Sequence, residues 1–162
     1  MSSDNALSRF LRKNTIQRAT EMATFHSTSA YAAKKIILDG VINPQSCAIF
    51  EKKLTYLFYG RPSYKKTGKS QISKYWQLPS VLIFDYNATK YKRIYPFDTG
   101  AFDGGLYPDF FNMMPRDEYE VGSILDAPSR LISSFFVDSE SRFREEPLRL
   151  QSDTGFSLRL AR

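Results

Sequence analysis

The chain has 162 residues, 42% of them hydrophobic and 25% charged, a balance that favours a folded protein over a disordered one and a length that fits one domain and is too short for two comfortable ones. A net charge of +6 favours an anionic partner such as nucleic acid, a phosphorylated cofactor or an anionic surface, without choosing among them. One cysteine and one histidine exclude an intrachain disulfide and a four-ligand structural zinc site. No apolar run approaches the roughly 20 residues of a membrane span, and MSSDNALSRFLRKN lacks the apolar centre of a secretory signal, so the expectation is a cytoplasmic protein with no membrane association.

Residues 1–20 space Leu7, Phe10, Leu11 and Ile16 in a way that suits a short helix or a flexible terminus. TFHSTS then reads as a strand leading into a helix from about Ser29, whose hydroxyl suits the first turn, to Gly40, which suits a left-handed helix end. Ala33, Ile36 and Ile37 lie at helical spacing on that segment. Asn43-Pro44 marks a turn, and LTYLFYG reads as a buried strand closed by glycine. RPSYKKTGKSQISKYWQ, basic and broken by Pro62 and Gly68, is expected to be a loop. PSVLIFDYN is a second strand, with Val81, Ile83 and Asp85 on one face and Leu82, Phe84 and Tyr86 on the other.

The stretch from Tyr95 to Pro115 has no sustained period and reads as a long loop, a length that in a compact domain is more often functional than incidental. DEYEVGSILDAPSRLISSFFV is expected to give a strand, a turn at Ala127-Pro128 and an apolar segment of either type. The chain divides into residues 1–20, a single α+β domain of catalytic type over 21–138, and a polar segment 139–162 that is either a tail or the last element of that domain.

Three motifs fail on inspection. KKTGKS ends like a phosphate-binding loop, but Ser63 stands where its first glycine is required and RPSYKK separates it from the strand. Asp98, Asp103 and Asp109 lack the spacing of a calcium loop, and Asp beside Gly is ordinary turn chemistry, so no metal site is expected. Cys47, in CAIF, reads as an inert buried thiol.

A set of residues remains: His26 and Thr28 at a strand end, the helix end IILDG, the aromatic strand in TYLFYGRPSY, and Glu118-Tyr119-Glu120, which a strand would place with both carboxylates on one face. Each has an ordinary structural use when taken alone, as a cap, a core ring or a solvated charge. In their order, HSTS, IILDG and LTYLFYG followed by a basic proline segment resemble the opening of the ADP-ribosyltransferase fold. The closest resemblance is to bacterial toxins that modify DNA; it spans about residues 24 to 64, with DEYEVGSILDAPSRLI resembling the later strand that carries the catalytic glutamate.

The resemblance implies a split, mainly antiparallel sheet core with a few short helices, NAD as substrate, and transfer of ADP-ribose with loss of nicotinamide. It implies catalytic roles for Glu120 or Glu118, and His26 on a ribose or the nicotinamide side, supported by Thr28. Tyr56, Tyr59 or Tyr64 would stack on the nicotinamide ring and Arg61 would hold a phosphate. The acceptor, nucleic acid or protein, is left open, as is a neutralising partner protein. Gly60-Arg61-Pro62-Ser63-Tyr64 departs from the toxins' pattern. The competing expectation is a non-catalytic module that binds single-stranded nucleic acid through the interleaved basic and aromatic residues of RPSYKKTGKSQISKYW, although no RNP or G-x-x-G signature is present.

Overall fold

A computed structural model describes residues 4–13, 21–63, 74–88, 90–122 and 126–136, and the backbone of 156–161. Its elements are α1 (Ala6–Lys13), β1 (Thr24–Ser29), α2 (Ala30–Asp39), β2 (Gln45–Cys47), β3 (Lys52–Leu54), β4 (Tyr56–Tyr59), β5 (Pro79–Phe84), β6 (Arg93–Phe97), α3 (Thr99–Asp103), α4 (Ala127–Phe136) and β7 (Phe156–Ala161). Short 3-10 helices cover Tyr75–Gln77, Asp109–Met113 and Arg116–Tyr119. A five-stranded sheet runs in the order β5-β1-β4-β7-β6, beside a two-stranded β2-β3 hairpin. Its strand pairs are antiparallel, so the fold is α+β with a mainly antiparallel sheet and a few short helices. No helix among the described residues is long and apolar enough to cross a membrane.

Register fixes the two faces of the sheet, because residues paired across neighbouring strands point the same way. Leu57 pairs with Leu160 and Ile94 with the same Leu160. Leu57 and Ile94 join Tyr59, Leu11 of α1 and Leu131, Ile132 and Phe136 of α4 in one buried cluster. The opposite face carries Tyr95 and Phe97, which pack with Phe102 of α3, Tyr107, Phe111 and Tyr119 in a second, aromatic cluster. Phe97 is central there, stacked on Phe102 at 4.9 Å and meeting Tyr119 edge-on at 5.1 Å.

Local chemistry explains the first two elements of the sheet. The β-branched and hydroxyl residues of TFHSTS favour extended backbone, and Ser29 ends the strand by accepting a hydrogen bond from the Ala32 N–H at 3.2 Å. Gly40 then closes α2 at φ +66°, a left-handed conformation that glycine adopts without penalty.

Several expectations change. LTYLFY is not one strand: Leu54 ends β3, Thr55 breaks the run and β4 begins at Tyr56. The long loop from Tyr95 starts inside β6 and contains α3, whose Asp98 cap accepts from the N–H groups of Gly100 and Ala101. Ala127-Pro128 opens α4 instead of making a turn, since proline in a first helical turn removes no intrahelical bond. Most consequential, Glu118-Tyr119-Glu120 is not a strand: residues 116–119 form a 3-10 helix and only Val121 bridges to Ile94. The two carboxylates therefore do not share a strand face. Residues 156–161 form β7, in the interior of the sheet between β4 and β6.

Candidate functional site

β1 pairs with β5 over six registers, Thr24 to Ser29, but with β4 over only two, Thr24 with Tyr59 and Phe25 with Phe58. Beyond Phe25 the β1-β4 ladder stops, and the segments His26–Ser29 and Leu54–Tyr56 become walls of a cleft of about 680 Å³. That volume falls within the roughly 300–1,000 Å³ of ordinary small-molecule sites. α2 supplies another wall with Lys35 and Asp39, and Phe58, Ser63 and Gln77 also line it.

Where the ladder ends, backbone acceptors need donors from elsewhere, because an unmet one is costly in a protein interior. His26 supplies one at Tyr56: its Nδ1 lies 3.0 Å from the Tyr56 carbonyl oxygen. A carbonyl only accepts, so Nδ1 carries the proton, and in the neutral ring Nε2 is then an acceptor. The ring is thus fixed at the split. Its neighbour Ser27 has a buried hydroxyl oxygen with no hydrogen-bond partner among the described residues. The Tyr56 hydroxyl lies 2.6 Å from Cys47 Sγ, which ties β4 to β2.

A second cluster stands further along the sheet. Tyr56 pairs with Ala161 and Arg93 pairs with the same Ala161, so Tyr56 and Arg93 occupy one row and one face, two strand spacings or about 10 Å apart. Glu120 reaches that row from the segment before Val121. Its Oε2 accepts from Arg93 Nη1 at 2.5 Å and from the Tyr95 hydroxyl at 2.6 Å. The Glu120 backbone is held from the other side by Asn5 Nδ2, at 2.7 Å from its carbonyl oxygen.

The carboxylate is 15% exposed and the guanidinium 33%. Hydrogen bonding to Tyr95, reinforced by the Glu120 charge, outweighs desolvation and raises Arg93 above the usual guanidinium value. Burial first, and then the bond to Glu120, pushes the Tyr95 phenol well up. Phe50 covers this cluster, with the guanidinium carbons of Arg93 and Arg116 at 5.2 and 4.6 Å from its ring centre. Arg116 is ion-paired with Asp103, which accounts for one of the aspartates of the turn-rich stretch.

The structure brings His26, Thr28 and Tyr56 to one cleft. Glu120 is about two strand spacings along the sheet from Tyr56 and outside the cleft's lining, and Glu118 lies on the neighbouring 3-10 helix. Tyr59 belongs to the core: it is 1% exposed, its hydroxyl accepts from the Met22 N–H at 3.0 Å, and its ring meets Tyr86 edge-on. It has no face to offer a ligand. Arg61 follows Gly60 (φ +74°) and does not line the cleft, where Lys35 is the cation among the described residues. Tyr64, with the basic segment 65–73, lies outside the described residues.

Arg93, Tyr95, Lys35 and Ser27 escaped the reading of the sequence. The alternation in RIYPF, which sets Arg93 and Tyr95 on one face, was the available signal for the first two. No protein-family profile, curated protein or solved structure matches the chain.

Proposed function

We propose that the chain is an NAD-dependent ADP-ribosyltransferase, as its opening motifs suggest, with NAD lying across the split between β1 and β4. The observation that carries this reading is the early end of the β1-β4 ladder, which opens a ligand-sized cleft with a fixed imidazole in its wall. A dinucleotide has two riboses. His26 Nε2 would accept a hydrogen bond from a hydroxyl of one of them, with Ser27 and Thr28 beside it, and Lys35 would face a phosphate. The Tyr56 ring would border a flat base.

Glu120 would meet the second ribose beside Arg93, about two strand spacings from Tyr56 and on the Tyr56 face of the sheet. As the glycosidic bond breaks, its electron pair leaves with nicotinamide and the sugar becomes cationic. A carboxylate fixed by Arg93 and Tyr95 favours that state over the ground state. The acceptor's nucleophilic atom, or water, then bonds to the sugar carbon and releases its proton to solvent.

A second reading has an observation of its own. Tyr75 and Trp76, 77% and 41% exposed, meet edge-on at 5.1 Å, with Lys74 Nζ 4.9 Å from the Trp76 ring centre. Such a basic aromatic surface suits single-stranded nucleic acid without any chemistry. Nicotinamide release from NAD and the NAD-dependent rise in melting temperature separate the two. The enzyme gives both; a binding module gives neither, and is instead stabilised by an oligonucleotide in a salt-sensitive way.

A further inference from the structure

The outermost strand β5 reads PSVLIF, with no charged residue and proline only at its first position. It pairs with β1 alone, so backbone N–H and C=O groups along its other edge have no strand partner among the described residues. Proteins ordinarily blunt such an edge with lysine, proline or a bulge. Here Ile83 is 67% exposed.

Inward of this edge, the face of the sheet carries a groove of about 880 Å³ that reaches past β1 to Leu57 of β4. Leu57, Leu82, Ile83 and Phe84 of the sheet and Ile37 and Val41 from the end of α2 give it an apolar surface. Lys53, Lys90 and Lys92 also line it, and no carboxylate does among the described residues. The last two are held at the rim by Tyr91 between them, whose ring stacks on Tyr86 at 5.1 Å and whose hydroxyl donates to the Tyr86 carbonyl at 3.1 Å. None of the three lysines has a carboxylate partner among the described ion pairs.

We propose that this groove docks an extended acidic segment of a partner protein, which adds a strand to the free edge of β5. Apolar side chains at alternate positions would cover the groove surface, and the carboxylates between them would meet the lysine rim. A fatty-acid-like anion would satisfy the lysines and the apolar surface but leave the β5 backbone edge unpaired. A peptide strand pairs with that edge and can turn alternate side chains toward the near part of the groove and its lysines. The groove adjoins the NAD cleft, with Ile36, Val41, Ile42 and Thr55 lining both, but its test needs no NAD.

Fluorescence anisotropy with the labelled peptide Glu-Ile-Glu-Val-Glu-Ile-Glu, its lysine counterpart Lys-Ile-Lys-Val-Lys-Ile-Lys, and dodecanoate as competitor tests the assignment. The acidic peptide should bind more weakly as salt rises, the lysine peptide should not bind, and K53E/K90E/K92E should lower affinity about tenfold or more. Hydrogen exchange should show the outward-facing β5 amides fast in the free protein and slowed by the peptide.

The proposal is overturned by equal binding of the lysine peptide, by no binding of the acidic one at millimolar concentration, or by unchanged affinity in the folded triple variant. Dodecanoate binding in the groove without peptide binding would replace the strand with a small amphiphile. Slow exchange at every β5 amide in the free protein would mean that the chain closes its own edge.

Discussion

Replacing Glu120 with Gln separates chemistry from architecture at the second cluster. Gln keeps an oxygen that can accept from Arg93 or Tyr95, but it removes the charge that both now share at 2.5 and 2.6 Å. A fully buried ion pair broken on one side costs roughly 3–5 kcal/mol. Arg93 is a third exposed and can recover water, which brings the expected loss to about 1–2 kcal/mol. For a chain of this size that is a fall in melting temperature of roughly 3–6 °C.

Turnover should respond far more strongly, because an electrostatic group aimed at developing charge is worth about 10²–10³ in rate. The assay is nicotinamide release at saturating NAD and a temperature where the variant is fully folded, with melting followed by circular dichroism. Release within about twofold of the parent would remove Glu120 from the chemistry. A fall in melting temperature well beyond roughly 10 °C would mean that Glu120 holds the fold, so that lost activity says nothing about the transition state.

Tyr59→Phe should destabilise by about 1–3 kcal/mol, since the buried Met22 N–H loses its acceptor, and should leave NAD affinity unchanged; chemical denaturation and NAD titration check both. Gly40→Ala meets no atom within 4 Å but must hold φ +66°, so denaturation should show a loss of about 1 kcal/mol from backbone strain alone. Burial raises the phenol pKa of both Tyr86 and Tyr95. Their contribution is whole below the ordinary tyrosine value and is lost as pH rises above it, so stability should fall beyond about pH 10, by up to about 1.4 kcal/mol per pH unit for each tyrosine. Tyr95→Phe should flatten that fall, and melting temperature against pH measures it.

The first helix of the sheet domain was legible because its signals are local: Ser29 and Gly40 each act within one turn of α2. β1 and β5 were legible for a similar reason, as β-forming runs bounded by turn residues. The break at Thr55 was not, because six β-forming residues in a row give no mark of where one strand ends and another begins. Glu118-Tyr119-Glu120 alternates like a strand, but Pro115 lies just before it and Asn5 holds the Asp117 and Glu120 carbonyls from 112 and 115 residues away. Tertiary contacts of that range leave no trace in a local window. His26 and Tyr56 were both candidates and line one cleft, yet the reason they meet, a ladder that stops after two registers, exists only in the assembled sheet.

His26 is the chain's single histidine, so its imidazole nitrogens can be observed without interference by nitrogen-15 NMR. In the free neutral ring Nδ1 should be protonated and Nε2 unprotonated, with Nε2 moving as NAD is titrated to saturation while Nδ1 keeps its bond to Tyr56. Imidazole signals that stay still at millimolar NAD would contradict this.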